Sequence, residues 1–208
     1  MFDIDVASGD EPFRIEAPDD SFGLRLFTSN GVTFGPAANI ESSRKESDVG
    51  APVGRVKTTL EVGAFGEVLP SESLRLRTEV LKGVNGHEGL TGSIAADYIR
   101  RDGDRYAFTF GPRLLLSDAR YQRAYFGVGS AAALATGLPA YRPDGGIHAI
   151  ALASGLTTQF GERWGLFGYA RAERLVGNAA KSPIVREYGS RNQLSAGLGL
   201  SYAFRINR

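Results

Sequence analysis

The final segment of the chain, residues 191–206 (RNQLSAGLGLSYAFRI), alternates strictly in side-chain character. The apolar and aromatic positions are Leu194, Ala196, Leu198, Leu200, Tyr202, Phe204 and Ile206. Successive side chains of a strand point to opposite faces, so this segment is predicted to be a strand with one apolar and one polar face. Strands of about ten residues with this pattern are typical of outer-membrane β-barrels. The last strand of such a barrel closes it by pairing with the first.

The same alternation recurs along most of the chain and predicts about ten strands. They are expected at 22–28, 32–42, 55–69, 73–81, 91–101, 105–116, 121–129, 145–160, 164–176 and 191–206. Short turns such as 29–31 and 102–104 alternate with longer connections at 43–54, 83–89, 130–144 and 177–189. Short connections at one end and long ones at the other are typical of membrane barrels. We therefore predict an all-β fold, an antiparallel up-and-down transmembrane β-barrel of about 10–12 strands, in one domain over residues 1–208.

The alternation also assigns side chains to the two walls of the barrel. Residues expected to face lipid include Val62, Phe108, Leu152, Leu198, Leu200 and Tyr202. The charges expected to face the interior are Arg25, Glu41, Arg55, Lys57, Glu61, Glu67, Arg75, Arg77, Glu79, Asp97, Arg105, Arg113, Arg171 and Glu173. Unpaired buried charge is costly, so the interior arginines are expected to pair with carboxylates on neighbouring strands. The interleaved signs favour a salt-bridged interior over the alternative, a selective pore lined by charges.

Composition excludes several classes of protein. The net charge of +1 gives no indication of nucleic-acid binding, and the absence of cysteine excludes thiol catalysis, disulfides and thiolate metal sites. No apolar run approaches the roughly 18 residues of a transmembrane helix. A soluble β-sandwich or lipocalin-like barrel with its apolar face inward is the alternative fold. That fold would place a lining rich in tyrosine and phenylalanine inside a barrel too wide to be filled.

Catalytic residues are not evident in the sequence. His87 and His148 are too few for a histidine metal cluster, and neither has a nucleophilic serine nearby in the chain. His148 is expected on the lipid face of its strand or at the strand end. Carboxylate pairs such as Glu61 and Glu67 could serve as acid and base, but beside arginines they are expected to be structural. We predict no catalytic activity, no cofactor and no metal.

The connection 177–189 is longer than a simple turn requires and contains two apolar residues, Ile184 and Val185. Ser182 precedes Pro183 and is therefore expected to be extended. Ser182, Pro183, Ile184 and Val185 form a candidate partner loop. They are expected either to pack on the barrel's own rim or to dock onto another protein, with Ser182 as a hydroxyl that caps the loop.

Several segments resemble the MltA-interacting protein family (MipA/OmpV) of outer-membrane proteins. The specific ones are AYFGV at 124–128, GLPAY at 137–141 and RLVGNAAKSPIV at 174–185; FRIEAPDDSFG at 13–23, GPR at 111–113 and GLGLSYAF at 197–204 are similar too. The resemblance covers nearly the whole chain. Family members usually carry acidic residues where this chain has Asn178 and Lys181, and Phe204 is followed here by four more residues, RINR.

The resemblance implies a non-catalytic scaffold in the outer membrane. Such a scaffold brings a murein-cleaving lytic transglycosylase together with a murein synthase, so the implied partners are these two enzymes and outer-membrane lipid. Some relatives are described as porin-like, which makes a small-solute channel the alternative. An exported barrel needs a signal peptide, and none is present at the start of this sequence. Either the signal has been removed, or the sequence is truncated at Met1 with loss of the N-terminal strand region. Of these two explanations we favour truncation.

Overall fold

A computed structural model describes residues 17–103, 105–161 and 164–202. In these residues ten strands form one sheet. They are β1 Phe22–Gly23, β2 Phe27–Ser29, β3 Val32–Glu41, β4 Thr59–Ser71, β5 Leu74–Gly83, β6 Leu90–Asp102, β7 Tyr106–Ser117, β8 Gly146–Gln159, β9 Trp164–Leu175 and β10 Asn192–Tyr202. The helices described are α1 Glu46–Val49, α2 Ala119–Phe126, α3 Ser130–Thr136, α4 Gly177–Lys181 and α5 Pro183–Glu187.

Every strand pair in the sheet is antiparallel, and from β3 to β10 each strand pairs with the next one in the chain. β1 and β2 pair in turn with the same edge of β3, so the predicted strand 22–28 is interrupted. The sheet curls into half a barrel. The predicted all-β, antiparallel up-and-down architecture is therefore confirmed. Phe204 and Ile206, which the alternation assigned to the last strand, lie outside the described residues.

None of the described helices is both long enough and apolar enough to cross a membrane.

The predicted strand 121–129 is wrong, because most of it is helix α2. Asp118 caps this helix by accepting a hydrogen bond from the Tyr121 amide at 2.9 Å. Tyr121 and Tyr125 are four residues apart and therefore lie on one helical face, with ring centroids 4.7 Å apart. The connections 130–144 and 177–189 also contain helices. Pro183 is the first residue of α5, where its missing amide proton costs nothing.

The two ends of the half-barrel differ in the length of their connections. At one end the strands are joined by short turns, such as Asn30–Gly31 with positive φ at both residues, which suits a tight hairpin. At the other end lie all five described helices. We call these helices and the connections that hold them the cap. Ala51, Val128 and Ile184 pack together in one apolar cluster that joins the cap connections. A second cluster joins Val185 to Leu175 of β9.

The two faces of the sheet follow the period of two. Val62, Leu152, Leu198, Leu200 and Tyr202 are exposed on the outer face, and Phe108 is partly exposed. Buried charged and small residues dominate the inner face. On the inner face of β9 and β10, the rings of Phe167 and Tyr169 lie over Gly199 and Gly197. A Cβ atom at these glycines would lie 2.1 and 2.4 Å from ring carbons, so a larger residue there would displace the rings.

Candidate functional site

The inner face is centred on Arg75, whose guanidinium binds three carboxylates from different parts of the chain. Its Nε donates to Glu67 Oε2 on β4 at 2.7 Å, and its Nη1 donates to Asp97 Oδ2 on β6 at 3.1 Å. Its Nη2 donates to Asp20, which precedes β1. Arg75 lies on β5 between β4 and β6, so the strand order explains two of these contacts. The group is fully paired although it is removed from water, as buried charge requires.

Arg77, two residues further along β5, continues the ion-pair network. It donates to Glu79 Oε1 at 2.6 Å and lies 3.5 Å from Glu67 Oε2. Its guanidinium carbon is 4.1 Å from the centroid of the Phe65 ring, which is a favourable cation–π distance. The partly exposed Arg25 places its Nη2 atom 3.2 Å from Glu67 Oε1. Glu67 is therefore shared by three arginines.

Arg113 on β7 forms the other half of the network. Its Nη1 lies 2.8 Å from Asp97 Oδ1, so Asp97 joins Arg113 to Arg75. Both Nε and Nη2 of Arg113 donate to the carboxylate of Asp19 at 3.0 Å. This bidentate contact is the geometry that makes arginine–carboxylate pairs specific. Arg171 on β9 lies 3.7 Å from Asp19 and hydrogen-bonds to Glu173.

Asp19 and Asp20 belong to a segment that runs across the inside of the half-barrel. We call residues 17–21 the strap. Pro18 lies against Gly155 of β8, and the Ser21 amide donates to Glu79 of β5 at 3.4 Å. The strap thus spans the inner face between β8 and β5. The sequence patterns missed both aspartates, because a segment without alternation carries no sign of which wall it faces. The one available signal was two adjacent carboxylates ahead of the first strand.

The structure brings together most of the residues predicted for the interior. Arg75, Arg77, Glu79, Asp97 and Arg113 are buried in the network, Glu61 is buried apart from it, and Arg171 and Glu173 are partly buried. The expected pairing differs in detail, since Arg77 binds Glu79 on its own strand. Glu61 has no arginine partner among the described residues.

The assignment of Arg55, Lys57 and Arg105 to the interior is wrong. All three are exposed, because the sheet does not include them. β4 begins at Thr59, so Arg55 and Lys57 lie in the connection from the cap. Arg105 lies in the turn before β7, where its side chain is 81% exposed and 3.9 Å from Asp102. The sequence alternation continues past the ends of these strands. Beyond a strand end there is no inner wall, so a side chain on either face of the pattern is exposed to water.

Glu61 belongs to a separate polar cluster beneath the cap. Its carboxylate accepts hydrogen bonds from Asn39 Nδ2 and Thr91 Oγ1, both at 2.8 Å. His87 Nε2 lies 3.2 Å away on its other side. The Nδ1 atom of His87 accepts from the Gly89 amide at 2.9 Å, so a neutral His87 carries its proton on Nε2, toward Glu61. The ring of Tyr121 covers His87 with centroids 4.9 Å apart.

His148 was expected on the lipid face or at the end of its strand; it lies near the start of β8, and its side chain is buried rather than facing lipid. The β7–β8 register shifts between Leu115 and Leu116, which leaves His148 as an extra residue in β8 and turns it inward. Its Nδ1 atom lies 3.0 Å from Ser117 Oγ. Among the described residues no carboxylate is hydrogen-bonded to His148, so a Ser-His-acid arrangement is absent from this part of the chain.

A cavity of about 420 Å³ lies between the inner face and the cap. In the part of the chain that the structure describes, carboxylates dominate its charged lining, which comprises Asp19, Glu41, Glu61, Glu79, Glu173 and the cation Arg171. Tyr121 and His148 contribute aromatic surface to it. No group of described residues is arranged to hold a metal ion. The cavity is therefore a polar, acidic space rather than an apolar ligand pocket.

The candidate partner loop lies inside the cap. Ser182 is fully buried, and its hydroxyl donates to the Phe126 carbonyl at 2.7 Å. Ile184 and Val185 are buried in the two apolar clusters of the cap, and Pro183 is half-buried. The extended backbone of Ser182, with φ −55° and ψ 130°, agrees with a position before proline. These side chains contact their own chain at the rim of the half-barrel.

Comparison with known proteins gives one family assignment. No curated protein and no solved structure matches the chain significantly. Residues 3–204 match the family described as MltA-interacting protein MipA. The match includes the strap, every described strand, the ion-pair network and the cap. The chain therefore belongs to the MltA-interacting protein (MipA) family.

Proposed function

We propose that this chain is an outer-membrane barrel protein that acts as a non-catalytic scaffold for a murein-cleaving lytic transglycosylase and a murein synthase. The family description supports the first partner, since it names an MltA-interacting protein. The exposed apolar side chains of the outer face support the membrane location, because a barrel wall in lipid must present such a surface. The synthase and the outer-membrane lipid are further partners in this proposal.

The ion-pair network on the inner face is the observation that favours a scaffold function over a channel function. Arg75, Asp97, Arg113 and the strap lie across the space that an open pore would need. Wide barrels of 16 or more strands leave an aqueous channel, whereas smaller ones are filled by side chains. Paired charges that satisfy one another also offer little to a permeating ion. A small-solute channel is the competing function, and the acidic cavity is the feature that would favour it.

The lengths of the connections suggest which end meets a periplasmic partner. Membrane barrels have short turns on the periplasmic side and long loops outside. By this rule the cap faces the exterior, and the turn end faces the periplasm, where murein lies. We therefore place the partner contact at the turn end, which exposes Glu72 and Phe160. The buried state of Ile184 and Val185 supports their role as a rim plug rather than a docking site.

Two measurements on the purified protein test this proposal. In the first, a purified lytic transglycosylase is bound to the wild type, to the turn-end variant Glu72→Lys/Phe160→Ser, and to the cap variant Leu134→Ser. Leu134 is 89% exposed, so its substitution leaves the fold intact. We expect weaker binding only for the turn-end variant. Equal binding by the wild type and both variants would show that the turn end is not the contact.

The second measurement is conductance across a planar lipid bilayer. A scaffold filled by ion pairs is expected to give no steady single-channel steps. Regular steps from the wild type, together with no binding of the transglycosylase, would favour the small-solute channel and overturn the scaffold.

A further inference from the structure

The outer face of the half-barrel carries a groove of about 850 Å³ that crosses from β6 to β10. Two neighbouring rows of residues line it, each row connected by strand register. Pro112, Leu152, Ala172 and Leu194 form one row, in which each residue is the register partner of the next. Small side chains at Ala172 and Ala96 form the floor, between larger neighbours. The lining is largely apolar and continuous with the exposed outer face.

The second row, nearer the cap, contains a cation. In it Ile150 pairs with Arg174, and Arg174 pairs with Asn192. Arg174 is exposed, and its Nη1 donates to Asn192 Oδ1 at 2.9 Å. Among the described residues no carboxylate forms an ion pair with it. A guanidinium on a lipid-facing wall is costly unless it reaches the membrane interface or finds an anion.

Further basic residues surround the same corner of the molecule. The connection from β9 to β10 exposes Lys181, Arg186 and Arg191, against one exposed carboxylate, Glu187. The carbonyl of Arg191 accepts from the Leu175 amide at 2.7 Å, which holds this basic segment beside the end of β9. Thus an apolar groove ends beneath a positively charged rim. Arginine forms bidentate hydrogen bonds with phosphate oxygens and is therefore well suited to hold a phosphorylated head group.

We propose that this groove binds a phosphate-bearing lipid of the outer leaflet, with an acyl chain over Ala172 and the phosphate on Arg174. The inference rests on the proposed outer-membrane location, since the cap end then lies at the outer leaflet. Strands of membrane barrels tilt by about 35–45°, so a groove that crosses them is inclined to the membrane plane. An acyl chain can therefore descend along it from a head group at the rim. The charge complementarity selects an anionic lipid over a zwitterionic or neutral one.

The test is native mass spectrometry of the whole protein in a neutral detergent, with three probes. They are lipid A carrying its phosphates, lipid A with the phosphates removed, and inorganic phosphate alone. Arg174→Gln removes the cation, and Ala172→Trp fills the floor of the groove. Arg100→Gln is the matched control, because Arg100 is exposed on the outer face of β6 at the turn end. Both arginine substitutions remove one charge from the same face.

We expect the wild type and Arg100→Gln to retain phosphorylated lipid A equally. Arg174→Gln should retain about tenfold less, as the loss of one charge-assisted phosphate contact predicts. Ala172→Trp should lose retention of the phosphorylated and dephosphorylated lipids alike. Retention independent of Arg174, or equal for both forms of the lipid in the wild type, would overturn the head-group assignment. Release of bound lipid by inorganic phosphate at low concentration would indicate an anion site without a lipid.

The same variants separate this proposal from the scaffold function. Arg174→Gln is expected to bind the lytic transglycosylase as the wild type does, because the groove is remote from the turn end. If the wild type does not bind the transglycosylase, the scaffold function is refuted, and the lipid result is unaffected.

Discussion

Arg75 and Glu67 form an ion pair 2.7 Å long, and each of their side chains is only 1% exposed. Removing one partner from such a pair leaves an uncompensated buried charge, which typically costs about 3–5 kcal/mol. Arg75→Met is therefore expected to lower the free energy of unfolding by about that amount. Urea unfolding can be followed by the fluorescence of Trp164, the single tryptophan of the chain.

The control for Arg75→Met is Arg105→Met, since the Arg105–Asp102 pair is long and exposed. Exposed pairs contribute about 0–1 kcal/mol, so this variant should unfold almost as the wild type does. Equal unfolding curves for the two variants would mean that the network does not stabilise the fold.

The strap should be held in place by its two aspartates. The chain has no cysteine, and Ser21 Oγ is buried without a hydrogen-bond partner among the described residues, so Ser21→Cys introduces one thiol at little cost. A maleimide should label it slowly. Adding Asp19→Asn and Asp20→Asn removes the two ion pairs that tie the strap to Arg113 and Arg75, so the strap should open more often. We expect labelling about tenfold faster, equivalent to 1.4 kcal/mol. An unchanged rate would show that the ion pairs do not retain the strap.

Ile184 and Val185 should stabilise the rim of the half-barrel. Replacing both by serine removes buried apolar contacts and introduces hydroxyls, which should lower the free energy of unfolding by about 2–5 kcal/mol. The melting temperature in detergent measures this effect. Leu134→Ser, on the exposed surface of the cap, is the matched control and should not change it. A wild-type melting temperature with loss of partner binding would instead assign these residues to docking.

An arginine on the outer face should hinder membrane insertion in proportion to its depth. Leu152 lies in the middle of β8, whereas Leu200 pairs with Leu166, two residues after the start of β9 at Trp164. Leu152→Arg is expected to cost roughly 2–4 kcal/mol, and Leu200→Arg less, because the penalty falls toward the interface. The folded fraction in lipid vesicles across a urea series measures both. A larger effect at Leu200 would contradict the proposed placement of the membrane.

Tyr121 should make the protein sensitive to high pH. Burial of the Tyr121 hydroxyl on the inner side of the cap, reinforced by the nearby carboxylate of Glu41, raises its pKa well above the usual value. A raised pKa means that the folded state keeps a proton that the unfolded chain releases near pH 10. Stability is therefore lost as pH rises through and beyond that value. Tyr121→Phe removes this ionisation, so its alkaline unfolding midpoint should move to higher pH. An unchanged midpoint would mean that Tyr121 ionises freely in the folded state.

The strands and their two faces were predictable because a half-exposed sheet forces a period of two. Leu152 and Leu198 on one face, and Arg75 and Arg113 on the other, follow from that period alone. Helix α2 was not predictable in the same way. Its alternating stretch around Tyr125 also satisfies a helical spacing, and short segments with both patterns are decided by tertiary packing.

The candidate site was only partly predictable for a different reason. The sequence identifies Arg75 as an inward charge, but its partner Asp20 comes from a segment with no periodic pattern. His148 turns inward through a bulge, and one extra residue in a strand reverses the face of its neighbours. The strap is marked in the sequence only by its two adjacent carboxylates, and the bulge leaves no local signal. Both depend on contacts between residues that are far apart in the chain.

The bond between Asp19 and Arg113 also imposes an order in time. These residues are 94 positions apart, so the strap cannot reach its final partner until β7 has formed. Hairpins such as β6–β7 need only short loops to close and can form early. The strap, although synthesised before the strands that it contacts, is thus among the last segments to reach its final position. Assembly of the half-barrel is therefore expected to end with the insertion of the strap across the inner face. Conditions that weaken this late step would leave a sheet whose strands are correctly paired but whose inner face lacks the strap.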